Sequence, residues 1–253
     1  MKLKIMTYNI AAGRVYKNYT VENPNAPVDI NECIEVMKAE MPDILGLNEV
    51  DRLTNRSGNV DQPRVIAEAL GYNYAFSKSI SLAPVERGEY GNAMASRFYA
   101  TEASLHSIPL PEKEDMRAGV NYEPRSVIRV CLDVEGREVH FLQTHFGLTN
   151  EEQVECVKLI CELVDEIGDK PIIFAGDLNA TPENPILDPI RERLFDTGTL
   201  IDAPYKTYPT HTADKRFLKI DYIFLSSHFK TLSTRVPNAN ASDHYPYVIE
   251  VEF

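Results

Sequence analysis

Polar residues stand at the ends of nearly all the strongly apolar segments of this 253-residue chain. They are Asn9 after residues 3–8, Glu49 after 44–47, His145 after 138–144, Asp177 and Asn179 after 171–175, Asp221 before 222–225, and Asp243 with His244 before 247–253. Strands hold side chains rigidly at their ends, and the adjoining loops leave room for a ligand. We therefore predict that these residues share one site.

The residue types in this set are suited to one kind of chemistry. Glu49, Asp243 and the amide oxygen of Asn9 are hard oxygen ligands of the kind that Mg²⁺ or Mn²⁺ prefers. Such a cation neutralises phosphate charge, while two histidines and the Asn179 amide can donate to phosphoryl oxygens. Asp177 remains available to orient or deprotonate water. The set predicts a metal-dependent phosphoesterase.

Each residue alone has an ordinary structural explanation. Asn9 is typical of a turn, Asp177 with Asn179 of an Asx-turn, and Asp243 of a strand cap. A lone histidine is more often structural than catalytic. Six such explanations would have to hold independently, so the functional interpretation of the whole set is favoured.

The elements that must position these residues are short strands and amphipathic helices. Apolar, β-branched segments predict core strands at 3–8, 44–47, 127–134, 138–144, 171–175, 220–225 and 247–253. Helices are predicted at about 29–40, from Pro63 to Gly71, and from Thr149 to Ile167, where Thr149 and Glu152 form a capping box. The mixture predicts stacked mixed sheets between helical layers. Irregular rim segments are expected at 13–28, 52–62, 77–90, 107–125 and 202–217.

The composition of the chain favours some classes of protein and disfavours others. We expect one domain over residues 1–253, since 43% of residues are hydrophobic and 25% charged. A net charge of −12 disfavours binding of long duplex nucleic acid, which needs many cationic contacts. The four cysteines have no metal-motif spacing, so neither structural zinc nor a disulfide framework is expected. Without a signal peptide or an apolar run of about 18 residues, we expect a cytoplasmic protein with no membrane span.

The motifs resemble those of the endonuclease/exonuclease/phosphatase superfamily, in the family order and over nearly the whole chain. The matching segments are Thr7-Tyr8-Asn9-Ile10, Leu47-Asn48-Glu49-Val50-Asp51, Tyr90-Gly91-Asn92-Ala93, Thr144-His145-Phe146, Gly176-Asp177-Leu178-Asn179, Ile220-Asp221-Tyr222-Ile223-Phe224 and Ser242-Asp243-His244-Tyr245-Pro246. The resemblance implies a four-layer α/β sandwich of the deoxyribonuclease I type, with two packed mixed sheets flanked by helices and the site at one end.

The resemblance also implies separate roles. Glu49 is the expected principal metal ligand, helped by Asn9 and Asp243. Asp177 is expected to position or activate the attacking water, and Asn179 to donate to the phosphate. His244 is expected to contact phosphate while Asp221 orients it, and His145 to act as a second histidine at the scissile group.

Other positions of the resemblance concern substrate and metal number. Arg125 and Asn92 are expected substrate-binding residues, and a guanidinium suits bidentate phosphate binding. Some family members carry Asp two residues after the first Asn, where this chain has Ala11. That difference removes a carboxylate and makes a second metal uncertain.

Three functions compete. The first is a Mg²⁺- or Mn²⁺-dependent phosphodiesterase that acts by in-line water attack on a nucleic-acid end, a small phosphodiester or a lipid headgroup. Tyrosines that could stack on a base are Tyr16, Tyr19, Tyr72, Tyr74 and Tyr90. The second is a phosphomonoesterase for an inositol or sugar phosphate, which would use loop cations among Lys78, Arg87, Lys113, Arg117, Lys215 and Arg216. The third is a phosphate-binding module without catalysis.

Overall fold

The computed structural model describes residues 1–16, 26–82, 87–201, 206–209 and 217–253. Its strands are β1 Lys2–Asn9, β2 Ile44–Arg52, β3 Asn73–Ser81, β4 Glu89–Ser96, β5 Tyr99–Ile108, β6 Arg125–Val134, β7 Arg137–His145, β8 Ile172–Asp177, β9 Phe195–Asp196, β10 Tyr208–Pro209, β11 Phe217–Leu218, β12 Asp221–Leu225, β13 Lys230–Arg235 and β14 Tyr247–Glu252. Its helices are α1 Ile30–Glu40, α2 Gln62–Leu70, α3 Asn150–Ile167 and the short α4 Asp188–Arg191, with 3₁₀ turns at Ala11–Gly13, Pro185–Leu187 and Thr197–Leu200.

Two six-stranded mixed sheets make up the centre of the fold. The first sheet has the order β13-β14-β1-β2-β4-β3, and the second has the order β5-β6-β7-β8-β12-β9. Each contains one parallel pair, β1 with β2 and β7 with β8, and its other pairs are antiparallel. In each sheet, the carboxyl ends of two adjacent strands therefore lie side by side at one edge.

Three apolar layers hold the sheets and helices together. Between the sheets, Ile5 and Ile249 of the first sheet belong to one cluster with Val130 and Phe141 of the second. A second cluster joins the outer face of the first sheet to α1 and α2, and a third joins the outer face of the second sheet to α3. Hydrophobic burial on both faces explains why the central strands are almost continuously apolar. The predicted four-layer α/β sandwich is confirmed.

Local signals set the helix boundaries as expected. In α3 the Thr149 hydroxyl accepts from the Glu152 N–H and the Glu152 carboxylate accepts from the Thr149 N–H, which is the predicted capping box. Helix α2 has Pro63 in its first turn and ends at Gly71, whose φ is 72°. The predicted helices at 29–40, 63–71 and 149–167 are confirmed. None of the described helices is long and apolar enough to cross a membrane.

The sequence prediction missed strands β3, β4, β5 and β13 and the two-residue strands β9, β10 and β11, and it was wrong to treat all of 77–90 as irregular. Strands β3, β5 and β13 lie at sheet edges, so only part of each is buried and none carries a long apolar run. Strand β4 is internal, but polar and small residues such as Gly91, Asn92 and Ser96 interrupt it, so it carries no long apolar run either. The predicted segments 13–28, 77–90 and 202–217 extend partly outside the described residues.

Candidate active site

The parallel strand pairs of both sheets end at the same place. Asn9 at the end of β1 pairs with Asn48 of β2, and His145 at the end of β7 pairs with Asp177 of β8. The Asn9 amide Nδ2 donates to Asp177 Oδ2 at 3.0 Å, which joins the two ends across the sandwich. Asp221 begins β12 opposite Asp177. Residues far apart in sequence therefore meet at one edge of the fold.

A bulge in β2 presents Glu49 to this edge. The register between β2 and β4 shifts between Leu47 and Val50, and Glu49 has a left-handed backbone with φ of 55°. A bulge redirects a side chain, and non-glycine residues in this conformation are often found at functional sites. Glu49 Oε1 accepts from Asn9 Nδ2 at 3.1 Å. Burial, followed by the charge of Asp243, raises the pKa of Glu49, while the Asn9 hydrogen bond opposes that rise.

Asp177 is fixed through both carboxylate oxygens. Its Oδ2 accepts from Asn9 and its Oδ1 accepts from the backbone N–H of Asn179 at 3.0 Å. The side chain is almost fully buried. Burial, together with the charge of Asp221, raises the pKa of Asp177 to about 7, against the lowering effect of His244. Asp177 can therefore gain or lose a proton near neutral pH.

His244 lies between two carboxylates. Its Nδ1 is 2.8 Å from Asp221 Oδ2, and its Nε2 is 3.6 Å from Asp177 Oδ2. Burial disfavours the charged ring, but Asp221 and Asp177 outweigh it and raise the pKa of His244 to about 10. The two carboxylates therefore favour the protonated ring, in which Nδ1–H donates to Asp221. The pairing predicted for Asp221 and His244 is present, while their catalytic roles stay predictions.

His145 differs from His244 in charge. Asn179 Nδ2 lies 3.1 Å from His145 Nε2, and an amide nitrogen can only donate, so this ring nitrogen carries a lone pair. Burial, together with the positive charges of Arg125 and His244, lowers the pKa of His145 well below its ordinary value. The sequence prediction gave both histidines the same donor role. The surroundings of the two rings favour a neutral His145 and a protonated His244, and the donor role of both histidines stays a prediction.

Arg125 begins β6 at the same edge and is 8% exposed. Its Nη2 donates to Glu123 Oε2 at 2.9 Å, and its buried Nε has no hydrogen-bond partner among the described residues. An anion such as phosphate would stabilise this buried guanidinium by accepting from its unused N–H, because charge-assisted hydrogen bonds to phosphate are strong.

A cavity of about 490 Å³ opens onto this set. Its described lining residues are Glu49, Tyr90, Glu123, Arg125, His145, Leu148, Asp177, Asn179, Thr181, Tyr208, Leu218, Ile220, Asp243 and His244. The volume is within the range of small-molecule sites. Seven of the ten predicted site residues are in this lining, while Asn9, Asp221 and Asn92 lie behind it.

Hydrogen bonds hold the side-chain amides of Asn9 and Asn92 in place. Asn9 Oδ1 accepts from the Ala11 N–H at 3.0 Å, and its amino group faces the carboxylates of Glu49 and Asp177. Asn9 therefore orients those carboxylates, and its predicted metal ligation through Oδ1, which keeps a second lone pair, stays a prediction. Asn92 is 2% exposed, and its amide bonds Asn48 and the Ser126 carbonyl. It does not reach the cavity, so the predicted substrate contact is replaced by a supporting role.

Asn48 lies in the motif Leu47-Asn48-Glu49-Val50-Asp51, but the sequence did not predict its role. Its Oδ1 accepts from the Asp177 N–H at 3.0 Å and from Gln143 Nε2 at 2.9 Å. Its Nδ2 donates to Asn92 Oδ1 and to the Thr144 carbonyl. Asn48 thus ties the two sheets together directly behind Asp177. Two adjacent polar residues at the end of an apolar strand, Asn48 and Glu49, were the available signal.

Aromatic and apolar lining residues were also missed, because loop packing gives no periodic pattern. The Tyr208 ring lies 4.8 Å from the His244 ring, and Tyr208 pairs with Leu218 across β10 and β11. Among the predicted tyrosines, Tyr90 lines the cavity, whereas Tyr16, Tyr72 and Tyr74 are not in the described lining and Tyr19 lies outside the described residues. Of the predicted loop cations, Lys78, Arg87, Lys113 and Arg117 are also absent from that lining, and Lys215 and Arg216 lie outside the described residues.

A two-sheet sandwich with carboxylates, amides and histidines at the strand ends defines a class of phosphoester hydrolases. The family model for the endonuclease/exonuclease/phosphatase family matches residues 6–244. The chain belongs to this family, whose members are phosphoester hydrolases that generally depend on a divalent metal.

Relatives cover the full length of the chain. An uncharacterized Escherichia coli protein, YbhP, is 22% identical over 98% of this chain and 95% of its own length. A family structure from Beutenbergia cavernae has a TM-score of 0.77 and 25% identity, covering 100% of this chain and 72% of that one. A mannosyl-6-phosphatase from Bacteroides thetaiotaomicron has a TM-score of 0.72 and 20% identity, covering 99% and 100% of the two chains, and shows the shared fold.

Proposed function

We propose that this protein is a Mg²⁺- or Mn²⁺-dependent phosphodiesterase that cleaves a P–O bond by in-line attack of water. The observation that carries the proposal is the meeting of Glu49 and Asp243, the held carboxylate of Asp177, and the cations Arg125 and His244 in one cavity. These groups separate into metal ligands, a proton acceptor and phosphate donors. Carboxylates suit the first two roles, and the positively charged Arg125 and His244 suit the third.

The oxygen ligands fit a hard divalent cation. Glu49 and Asp243 line the same cavity, and the charge of Asp243 raises the pKa of Glu49, so the two carboxylates repel each other. A divalent ion relieves that repulsion and prefers oxygen donors. Asp177, Asp221 and His244 also bring ligand-type atoms within 4.8 Å, but an imidazolium has no lone pair to offer. Glu49 and Asp243 would hold the ion, which supplies Lewis-acid stabilisation of the phosphoryl group when bound.

The protein's own groups supply orientation and proton transfer. Asp177 accepts hydrogen bonds from Asn9 and Asn179, so its carboxylate is fixed, and with a pKa of about 7 it can take a proton from water. His244 Nδ1–H donates a hydrogen bond to Asp221, so Nε2–H of the protonated ring can donate to a phosphoryl oxygen. Arg125 can turn its guanidinium from Glu123 to the same phosphate.

The charges of the cavity favour a diester. The described lining includes the carboxylates of Glu49, Glu123, Asp177 and Asp243. Arg125 is the lining guanidinium among those residues, and His244 adds one imidazolium. A monoanionic diester is repelled less by this set than a phosphomonoester dianion or a substrate with several phosphates.

Hydrolysis of bis-p-nitrophenyl phosphate tests the proposal. Turnover should require Mg²⁺ or Mn²⁺ and stop with EDTA. Asp177→Asn keeps the side-chain size but removes the proton acceptor, so kcat should fall by about 100-fold or more. Asp165→Asn, which changes an exposed carboxylate paired with Arg193, is the matched control and should keep wild-type turnover. Equal turnover in Asp177→Asn and the control would overturn the assignment.

A phosphomonoesterase is the second candidate, because the Bacteroides protein with the same fold is a mannosyl-6-phosphatase. p-Nitrophenyl phosphate and hexose phosphates assayed beside the diester separate the two. A higher kcat/KM for the monoesters would replace the diesterase assignment. Metal-dependent binding of inorganic phosphate without turnover of either ester would leave a binding module.

A further inference from the structure

A second group of potential ligand side chains lies on the hairpin of β6 and β7, away from the cavity. Cys131 and His140 face each other directly in the register of the two strands. Glu138 is two residues before His140, so its side chain is on the same face of the sheet. His140 precedes His145 by five residues along β7, a separation of about 16 Å. This group, Cys131, Glu138 and His140, is therefore independent of the active site.

The three side chains are close enough to share an ion. One ligand atom from each of them lies within 4.8 Å of the other two. Zinc bonds of roughly 2.0–2.3 Å place tetrahedral ligand atoms about 3.5 Å apart, so small side-chain rotations close the difference. A cavity of about 190 Å³ reaches Cys131 and Glu138 and gives an ion and a water molecule access. The cavity lining includes two of the three residues, so an ion can approach the group from the side of Cys131 and Glu138.

His140 provides an independent sign of a missing partner. Its ring is 3% exposed, and Nδ1 has no hydrogen-bond partner among the described residues. Its Nε2 bonds Glu138 Oε1 at 2.6 Å. A buried ring nitrogen without a partner is costly, and a metal ion can use an imidazole lone pair.

Lys170 is the group that competes with an ion. Its Nζ donates to Glu138 Oε1 at 2.8 Å, but the side chains of Lys170 and Glu138 are 52% and 48% exposed. An ion pair this exposed contributes little to stability, so an incoming cation displaces the ammonium at small cost.

We propose that Cys131, Glu138 and His140 form a second metal site that takes Zn²⁺ or a similar borderline transition-metal ion. A thiolate, an imidazole and a carboxylate are a zinc-type donor set, whereas Mg²⁺ and Ca²⁺ prefer oxygen alone. The site lies at the closed end of the hairpin and crosslinks β6 to β7. Binding releases the thiol proton of Cys131 to solvent, so affinity rises with pH.

Titration of the full-length protein with Co²⁺ tests this site. Co²⁺ bound to a thiolate gives a sulfur-to-metal charge-transfer band in the near ultraviolet, and the described residues of the active-site cavity include no sulfur. Wild type should develop the band to saturation at one ion per chain, and Zn²⁺ should abolish it. Cys131→Ser should lack the band. Cys161→Ser, which changes a cysteine of similar exposure on α3, should retain it.

Two further measurements keep the test decisive if Cys131→Ser fails to fold. Glu138→Gln changes a half-exposed side chain and should weaken Co²⁺ binding by about tenfold. Zn²⁺ should slow alkylation of Cys131 in the wild type, measured by peptide mass spectrometry. Absence of the band in wild type, wild-type affinity in Glu138→Gln, or alkylation unaffected by Zn²⁺ would overturn the site. Diester turnover, followed in parallel, should be unchanged in Glu138→Gln, so the two metal sites are judged separately.

Discussion

Replacing Asp221 with asparagine should lower the pKa of His244 strongly. The Asp221 carboxylate is fully buried, and its Oδ2 lies 2.8 Å from His244 Nδ1. Asparagine keeps the shape and a hydrogen-bond acceptor but removes the negative charge. The change therefore isolates the electrostatic part of the pair.

The expected magnitude follows from distance and pKa together. Two unit charges 2.8 Å apart attract by about 6 kcal/mol at an effective dielectric constant of about 20. The pKa of about 10, compared with an ordinary value of 6.5, corresponds to about 5 kcal/mol. In Asp221→Asn, burial still disfavours the charged His244 ring, whereas the charge of Asp177 still favours it. The substitution should therefore lower the pKa of His244 by about two to three pH units.

The same change alters the pH dependence of folding stability. The folded pKa of His244 lies above its unfolded value, so its contribution is complete below pH 6.5 and is lost as the pH rises to about 10. The stability advantage of wild type over Asp221→Asn should therefore be largest near pH 6.5. Because the pKa of His244 is expected to fall by about two to three units in the variant, this advantage should shrink by about 3–4 kcal/mol by pH 10.

The experiment needs metal-free protein, so EDTA is present throughout. Imidazole ¹H–¹⁵N spectra give the pKa of His244, and urea unfolding at several pH values gives the stability. Asp169→Asn is the control, because this 98% exposed carboxylate lies 3.5 Å from the ring of His228 and should leave the His244 titration unchanged. A His244 pKa that does not move in Asp221→Asn, or a stability difference independent of pH, would refute the charge assignment.

Two other substitutions test the supports of Asp177. Asn48→Ala leaves the Asp177 N–H and the Thr144 carbonyl without their side-chain partner, so urea unfolding should show a free energy of unfolding lower by about 2–4 kcal/mol. Because Asp177 is then held less firmly, kcat should fall more than KM changes. An unchanged kcat would contradict the positioning role. Gly176→Ala puts a Cβ 2.0 Å from the Thr144 carbonyl oxygen and should lower the free energy of unfolding by about 3 kcal/mol or more. Gly136 also has a positive φ but open space around it, so Gly136→Ala should cost about 1 kcal/mol. Equal losses in the two variants would contradict the steric argument.

The sequence predicted those parts of the fold that follow from local patterns. The capping box at Thr149 fixed the start of α3, and apolar segments ending in polar residues located the edge where Asp177 and His244 meet. Edge strands such as β5 were missed because half-exposed strands carry no continuous apolar signal. The orientation of the Asn9 amide could not be predicted either. It depends on the Ala11 N–H, which donates to Asn9 Oδ1, and on two carboxylates from β2 and β8, which accept from Asn9 Nδ2.

The polar contacts behind the site explain why an otherwise apolar sandwich tolerates buried amides. Asn48 and Gln143 come from different sheets. Gln143 Nε2 and the Asp177 N–H both donate to Asn48 Oδ1, and these two hydrogen bonds form only when the sheets keep one register. Leucines at these positions would bury more apolar surface but would leave the Asp177 N–H unsatisfied. A shift of either sheet would thus break hydrogen bonds as well as apolar contacts. Sheet packing and the orientation of Asp177 are therefore coupled, and we expect changes at this interface to affect catalysis before they unfold the protein.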